Sequence, residues 1–145
     1  MEMLQLLMEA QKYSEEMSKV FLREFQTIVQ EYDLSSKQSL VLNYLKETGR
    51  FTMHEVAQII NATPSAASQF VKILEEKKYV KRETNKENRR EIFVFLDEKG
   101  IDFFKELELA EKRVLEKYFM KLSPEDIVTY HDVLKKLSDI VRKEG

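Results

Sequence analysis

Apolar residues recur at helical spacing over the first part of the chain. From Met3 to about Tyr32 no glycine or proline interrupts the pattern, which predicts one long helix. Its apolar positions are Leu6, Ala10, Tyr13, Met17, Phe21, Phe25 and Ile28. Leu34, Ser35 and Ser36 break the pattern, so we expect the helix to end just before them.

Two shorter helices follow, each opened by a capping box, in which a hydroxyl residue precedes Gln or Glu by three positions. Ser35 with Gln38 starts the second helix, which Gly49 ends, and Thr52 with Glu55 starts the third. We expect the buried side of the second helix to be Leu40, Val41, Tyr44 and Leu45. We expect the buried side of the third helix to be Val56, Ala57, Ile59 and Ile60.

The fourth helix has the strongest start signal. Thr63 stands directly before Pro64, and a hydroxyl cap followed by proline suits a helix start because proline has no amide to leave unpaired. The helix should run to about Lys77. Apolar spacing predicts a buried side made of Ala67, Phe70, Val71 and Leu74. The opposite side is small and polar, with Ser65, Ala66, Ser68, Gln69 and Lys72.

After the fourth helix the period changes from helical to alternating. Ile92 to Leu96 is a β-branched and aromatic run that predicts a strand, and Tyr79 to Glu83 is its expected partner. The segment between them, Thr84 to Asn88, is polar and rich in turn formers. The two strands should therefore form a hairpin with a charged tip.

Two further helices are expected after the hairpin. Asp97 can cap the fifth, and Ser123 with Pro124 repeats the cap-plus-proline start for the sixth. The apolar side of the fifth helix is expected to be Ile101, Phe104, Leu107, Val114, Tyr118 and Leu122. The sixth helix has the three-and-four spacing of a helix that packs along another helix, at Ile127, Tyr130, Leu134, Leu137 and Val141. The predicted fold is mainly α with a small β-hairpin, an α+β arrangement.

Composition and charge narrow the possible functions. The 145 residues are 43% apolar and contain no cysteine, which excludes thiol nucleophiles, redox pairs and Cys-ligated zinc. The net charge is −2, but residues 63–92 carry eight basic and five acidic side chains, and the rest carries 16 basic and 21 acidic ones. Contact with a polyanion should therefore be confined to that segment. Met1 to Met8 is too short an apolar run for a signal peptide or a membrane span, so we expect a cytoplasmic protein without membrane contact.

The sequence gives little support for an enzyme. It has no Gly-rich phosphate loop and no nucleophile elbow. His54 and His131 lie far apart, and a second histidine four positions after His54, as a zinc motif requires, is missing. We therefore expect neither catalysis nor a bound cofactor or metal.

The order of helix, short helix, turn, polar-faced helix and basic hairpin is that of a winged helix-turn-helix, whose second helix of the pair enters the DNA major groove. The run from Leu34 to Gly100 resembles the MarR family of transcriptional regulators. The resemblance rests on Leu34, Ser35, Gln38, Glu55, Ala57, Ile60, Thr63 to Glu75, Val80, Arg82, Asn88, Arg89, Arg90, Leu96, Glu98, Lys99 and Gly100. It implies a DNA-binding lobe of residues 34–100 and dimerisation helices in residues 1–33 and 101–145.

The resemblance implies a sequence-specific regulator, by family default a repressor, that binds double-stranded DNA. The recognition helix 64–77 would contact DNA through Thr63, Pro64, Ser65, Ala66, Ser68, Gln69 and Lys72. The wing 84–90, with β-strand residues beside it, would contact DNA through Arg82, Lys86, Asn88, Arg89 and Arg90. Arg90 holds the position whose arginine enters the minor groove.

Two positions depart from the family pattern. Asn88 stands where the family usually has aspartate, so we expect at most a neutral hydrogen bond in place of an ion pair, and a less rigid wing. Lys78 stands where many relatives have glycine, so we expect a mildly strained left-handed turn there.

Family members resemble each other in forming two-fold dimers. A dimer would hold two recognition helices about 34 Å apart and read a pseudo-palindromic operator. The sequence supports a homodimer separately, because the terminal helices carry more apolar residues than a small monomer can cover, although packing within one chain is the alternative. The expected dimer residues are Leu4, Leu7, Ile127, Leu134, Leu137 and Val141. The resemblance also implies a small aromatic or anionic effector.

A second hypothesis is a winged-helix interaction module that does not bind DNA. It would hold a protein partner through its dimer helices and through Phe93 or Phe95, which we expect to be exposed. Salt separates the two hypotheses, because DNA binding through several Lys and Arg side chains weakens steeply as salt rises.

Overall fold

The computed structural model describes residues 2–145, so Met1, the first residue of the expected dimerisation segment 1–33, lies outside the described residues. The α-helices are α1 (Glu2–Glu31), α2 (Ser36–Thr48), α3 (Met53–Ile59), α4 (Pro64–Glu76), α5 (Glu98–Lys117) and α6 (Pro124–Glu144). The strands are β1 (Phe51–Thr52), β2 (Val80–Thr84) and β3 (Ile92–Leu96), and a 3₁₀ turn covers Phe119–Lys121. The predicted order of helices and hairpin strands is confirmed.

The chain falls into two compact units. One unit is Phe25–Glu108, and it contains α2, α3, α4 and the sheet. The other unit combines the residues up to Glu24 with Leu109–Gly145. Both divisions between the units fall inside helices, one within α1 and one within α5.

Side-chain caps fix the starts of the helices. The Ser35 hydroxyl accepts a hydrogen bond from the Gln38 amide at 3.1 Å, and the Gln38 side chain accepts one from the Ser35 amide at 2.9 Å. Thr52 and Glu55 repeat this reciprocal pair at the start of α3. The Thr63 hydroxyl accepts a hydrogen bond from the Ala66 amide at 3.1 Å, with Pro64 as the first helical residue of α4. The capping boxes and the cap-plus-proline start that the sequence predicts are therefore confirmed.

The sheet holds one strand more than the sequence predicted. In the part of the chain that the structure describes, β3 pairs with β2 on one side and with β1 on the other, and both pairings are antiparallel. Val94, at the centre of β3, lies opposite Phe51 and opposite Arg82. The strand β1 has only two residues, and its second residue is also the cap of α3, so no alternating pattern could mark it.

Apolar side chains from every element of the unit Phe25–Glu108 meet in one core. Its fully enclosed members include Val41, Leu42, Leu45, Val56, Ala67, Val71, Leu74, Tyr79, Val80 and Val94. In α4 the predicted buried side is confirmed for Ala67, Val71 and Leu74, while Phe70 is half-buried. In α3, Val56, Ala57 and Ile60 are buried as predicted, and Ile59 is half-buried.

Two predicted apolar sides were partly wrong. Leu40 and Tyr44 are 44% and 43% exposed, whereas Leu42 is fully buried. Apolar residues occupy more than one side of α2, so their spacing alone could not decide which side faces the core.

In α5 the buried residues are Phe103, Phe104, Ala110 and Val114, and Ile101 is 44% exposed. Tyr118 and Leu122 lie beyond α5, which ends at Lys117 before the 3₁₀ turn. The predicted apolar side of the fifth helix was therefore wrong at Ile101, Tyr118 and Leu122 and missed Phe103.

Tyr79 links three helix ends in this core. Its buried hydroxyl donates a 2.7 Å hydrogen bond to the Tyr32 carbonyl just after α1. Its carbonyl accepts a hydrogen bond from the Asp97 amide before α5, and its amide donates to Leu74 in α4. The same carbonyl lies so close to Gly100 that a side-chain carbon there would clash with it. The tight approach explains why a residue without a side chain stands at this point of α5.

Alkaline pH should lower the stability of the folded chain through ionisation of Tyr32. Burial, followed by the negative charge of Glu106, which also accepts a hydrogen bond from the Tyr32 hydroxyl, raises the pKa of Tyr32 to about 12 from the ordinary 10.0. The pKa of Tyr32 is higher in the folded chain than in the unfolded chain. Its contribution to folding stability is therefore complete below pH 10.0 and is lost as pH rises through about 12.

Burial, followed by the charge of Asp33, also raises the pKa of Tyr79, so two of the six tyrosines should ionise late in an ultraviolet absorbance titration of the wild type. We expect the Tyr32 step near pH 12, so the amplitude of the late phase should fall by one tyrosine in Tyr32→Phe and stay unchanged in Tyr13→Phe, which removes an exposed tyrosine. A late phase of unchanged amplitude in Tyr32→Phe would contradict the assignment.

Candidate nucleic-acid interface

The exposed side of α4 is small and polar. Because Ala67, Val71 and Leu74 are fully buried, the helix cannot rotate without breaking the core, and its other side is held toward solvent. The expected recognition-helix residues on that exposed side are Thr63, Pro64, Ser65, Ala66, Gln69 and Lys72. Ser68, the remaining expected residue, is half-buried at the edge of this surface.

The hairpin loop between β2 and β3 is held by hydrogen bonds within residues 85–91. The Asn85 amide donates to the Glu91 carbonyl, and the Glu91 amide donates to the Asn88 carbonyl, each at 2.9 Å. The Asn85 side chain accepts a 3.0 Å hydrogen bond from the Glu87 amide. The loop therefore has a defined shape that presents its exposed polar side chains, Lys86, Asn88, Arg89 and Arg90.

Asn88 makes a neutral hydrogen bond, but with the backbone of Arg90 and not with its guanidinium. Its side-chain oxygen accepts from the Arg90 amide at 3.2 Å, so it fixes the Arg90 backbone. Within residues 2–145, Arg90 is exposed and its guanidinium has no ion-pair partner. The positive charge of Arg90 is therefore not neutralised by a neighbouring carboxylate in the described residues.

The turn from α4 into β2 has the predicted left-handed residue. Lys78 has a φ of 65°, and its amide donates to the Glu75 carbonyl at 3.0 Å. Its carbonyl accepts from the Lys99 amide at 3.1 Å, and its ammonium lies 3.7 Å from Glu98. Asn61, in the turn between α3 and α4, also has a positive φ of 51°, which asparagine tolerates better than lysine does.

Arg82 differs from the other basic residues of the expected site. Its Nε lies 3.2 Å from Glu75 Oε1, and its Nη1 lies 3.5 Å from Ser68 Oγ. Only 23% of the Arg82 side chain is exposed, against 52% for the neighbouring Lys81. The structure therefore brings Arg82 to α4 and away from the loop that carries Lys86, Arg89 and Arg90. Whether Arg82 contacts DNA stays a prediction.

Sequence reasoning missed Glu75, the partner of Arg82. In the sequence it stood only as one of the five acidic residues of segment 63–92 and as the end of the run Thr63 to Glu75, with no role of its own. A signal was present in the spacing, because Glu75 stands seven positions after Ser68 and therefore on the same side of the helix.

The expected dimer residues belong to the other unit, and their side chains are uncovered in the single chain. Leu4, Leu7 and Val141 are each more than 60% exposed, Leu134 and Leu137 are exposed, and Ile127 is half-buried. An apolar groove of about 510 Å³ lies beside two of these residues, Ile127 and Leu134. Its other lining residues include Leu115, Phe119, Tyr130 and Lys135. Packing within one chain therefore does not cover this surface.

The residues that the second hypothesis uses are less exposed than the sequence suggested. Phe93 and Phe95 are half-buried, and their rings pack edge to face with centroids 6.3 Å apart. The guanidinium of Arg50 lies over the Phe93 ring at 4.2 Å.

His54 and His131 are exposed, as predicted for solvated side chains, and His131 Nδ1 lies 3.0 Å from Asp132. Among the described residues there is no group of three or more His, Cys, Asp or Glu side chains that could hold a metal ion. None of the described helices is long and apolar enough to cross a membrane.

Sequence comparison identifies the family. The family model described as Transcriptional regulator SarA/Rot matches residues 23–107, more than half of the chain. The chain belongs to the SarA/Rot family of transcriptional regulators. Its matched region contains α2, α3, α4 and the whole sheet.

This SarA/Rot-family chain is similar to curated regulators of Bacillus subtilis. It is 29% identical to the HTH-type transcriptional repressor MdtR over 101 residues, which are 70% of the chain and 65% of MdtR. The chain thus spans a little less than two-thirds of that relative. It is 20% identical to the HTH-type transcriptional regulator YwhA over 105 residues, which are 72% of the chain and 76% of YwhA.

Solved structures confirm the predicted winged-helix fold of the MarR type. Transcriptional regulator Tm0710 from Thermotoga maritima matches with a TM-score of 0.78 at 18% identity, covering 95% of this chain and 98% of that one. A MarR family protein from Bacillus stearothermophilus matches with 0.71 at 22% identity, covering 95% and 96%. A MepR mutant from S. aureus bound to an oligodeoxyribonucleotide matches with 0.62 at 18% identity, covering 91% and 97%.

The positive φ of Lys78 in this SarA/Rot-family chain leads to a prediction about stability. Lys78→Gly should raise the free energy of unfolding by about 0.5–1 kcal/mol, because glycine adopts a positive φ without the steric cost of a side chain. Lys77→Gly is the matched control, since Lys77 has a φ of −84° and glycine there should destabilise. Urea unfolding followed by circular dichroism measures both variants. A Lys78→Gly variant less stable than the wild type would contradict the strained turn.

Proposed function

We propose that this chain is a homodimeric transcriptional repressor that binds a pseudo-palindromic DNA operator. The helix 64–77 enters the major groove, and the wing 84–90 enters the minor groove. The observation that carries the proposal is the juxtaposition of the exposed polar side of α4 with a basic hairpin in a unit whose core fixes the orientation of α4. The SarA/Rot family membership and the repressor MdtR support the regulatory role.

The small side chains of α4 allow a close approach to base edges. Ser65, Ser68 and Gln69 can exchange hydrogen bonds with bases, and Ala66 can contact a thymine methyl group. Thr63 and Pro64 lie at the helix start, where the helix dipole favours a phosphate. Lys72 is exposed one helical turn beyond Ser68 and suits a phosphate contact.

The wing supplies positive charge without strong base selectivity. Lys86 and Arg89 are exposed and suit phosphate contacts, which position a protein on DNA without reading its sequence. Arg90, whose backbone Asn88 fixes, is the residue we place in the minor groove. Arginine suits that groove because its electrostatic potential is the most negative where the groove is narrow.

The exposed apolar side chains of the terminal helices support dimerisation. Monomeric proteins rarely leave a large contiguous apolar surface in water, and here both terminal helices expose one. We therefore assign the apolar groove near Ile127 and Leu134 to the dimer contact. A two-fold dimer presents two α4 helices to two half-sites about one DNA turn, or 34 Å, apart.

A small aromatic or anionic effector forms part of the proposal. Such a ligand releases the operator only if it binds one separation of the two recognition helices more tightly than another. In a binding assay it would be detected as a compound that raises the apparent Kd for the operator as the concentration of the compound rises.

Removal of the Arg90 charge tests the wing. In fluorescence-anisotropy titrations with duplex DNA from upstream of the chain's own gene, Arg90→Ala should weaken binding by about tenfold. The slope of log affinity against log salt should become shallower by about 0.9 if the contact involves a phosphate. Lys143→Ala, which removes one positive charge near the end of α6, is the control and should change neither value by a comparable amount. Unchanged affinity of Arg90→Ala would refute the wing assignment.

Charge introduced on the apolar side of α6 tests the dimer. The double variant Leu134→Glu, Leu137→Glu should sediment as a monomer, because two carboxylates would have to be desolvated at the contact. Val128→Glu is the matched control, since Val128 is exposed on the opposite side of α6 by helical spacing. If the double variant remained a dimer while folding normally, the dimer assignment would be wrong.

A further inference from the structure

One charged pair connects the recognition helix with the first strand of the wing. Glu75 lies in the last part of α4, and Arg82 lies at the centre of β2, with Nε and Oε1 3.2 Å apart. The Arg82 backbone is paired with Val94 in β3, so its position is set by the sheet. The pair therefore joins two elements whose relative placement determines how α4 and the wing meet DNA together.

We propose that Glu75 is a positioning residue for DNA reading and that Arg82, held by Glu75, is a strut between α4 and the wing and is not a phosphate ligand. This inference rests on the proposed function. It concerns specificity at that same surface, since the strut would set the orientation of Ser68 and the placement of the wing.

The charge of Arg82 is already compensated in the protein. Glu75 neutralises it at 3.2 Å, and less than a quarter of the Arg82 side chain is exposed. Glu75 occupies only the Nε donor, but a phosphate at the remaining Nη donors would lie near the Glu75 carboxylate and be repelled by it, so Arg82 offers a phosphate little net attraction. Lys81, its neighbour in β2, pairs with Glu83 only at 3.8 Å with both side chains more than half exposed, so it can turn to a phosphate at little cost.

The same guanidinium also bears on Ser68. Glu75 and Ser68 are seven residues apart, which is about two helical turns, and Arg82 lies along the side of α4 that they share. The Arg82 Nη1 donates toward Ser68 Oγ at 3.5 Å, which directs the serine hydroxyl hydrogen away from the guanidinium. Ser68 is then presented to the groove as a hydrogen-bond donor, suited to the acceptor atoms of purines and thymine.

The Glu75→Gln variant distinguishes the two roles of Arg82, strut and phosphate ligand, because each role predicts a different change in DNA binding. If Glu75 positions Arg82, Glu75→Gln lowers the ratio of affinities for the native and a scrambled duplex by roughly five- to tenfold. If Glu75 only competes with phosphate for Arg82, Glu75→Gln strengthens binding to both duplexes. Glu76→Gln is the matched control, since it removes the same charge from the adjacent exposed position in α4.

Arg82 itself should show its role in the salt dependence. A strut predicts that Arg82→Gln lowers the native-to-scrambled ratio as Glu75→Gln does, with the slope of log affinity against log salt unchanged. A phosphate ligand predicts a slope shallower by about 0.9 and an unchanged ratio. The double variant Glu75→Arg, Arg82→Glu exchanges the two charges. It should recover part of the native-to-scrambled affinity ratio that either single change loses. If none of that ratio returned and the salt slope were reduced, the strut would be overturned.

A measurement without DNA keeps this inference separate from the proposed function. In the unliganded protein, Glu75→Gln should speed amide hydrogen exchange in β2 by several-fold, and Glu76→Gln should not. Equal exchange in the two variants would overturn the strut whatever the DNA result. A wild type that binds neither duplex would overturn the proposed function, and the exchange data would then decide the structural strut alone.

Discussion

Burial of one side of α4 is the constraint on which the rest of this structure depends. Ala67, Val71 and Leu74 are enclosed in the core, so the small polar side opposite them is held toward solvent. Thr63 and Pro64 fix where the helix begins, and the left-handed Lys78 fixes how the chain leaves it for β2. A groove-reading helix needs this kind of rigid placement, because hydrogen bonds to bases depend on the direction of each donor.

The wing inherits its position from the same core. The side chains of Val80 in β2 and Val94 in β3 are buried in the core, and β1 pairs with the other side of β3. Tyr79 connects the start of β2 to α1 and α5. Hydrogen bonds within residues 85–91 then shape the loop that carries Arg89 and Arg90. Positive charge is thereby concentrated in the hairpin loop of a chain whose net charge is negative.

Local signals in the sequence predicted much of the fold and of the candidate surface. Caps such as Ser35–Gln38 and Thr63–Pro64 depend on residues adjacent in sequence, so they could be located without tertiary information. The orientation of α2, the strand β1 and the burial of Phe103 depend on partners far along the chain, and they were missed or assigned wrongly. The same holds for Glu75, whose partner Arg82 is separated from it by a turn whose geometry the sequence does not define.

The central claim, that the exposed side of α4 and the wing together read a DNA sequence, is tested most directly with the wild-type protein. Fluorescence anisotropy would measure binding to duplex DNA from upstream of its own gene and to a scrambled duplex, each at two salt concentrations. The account predicts tighter binding to the native duplex and a steep loss of affinity for both as salt rises. Equal and salt-insensitive binding to the two duplexes, or no binding to either, would contradict it.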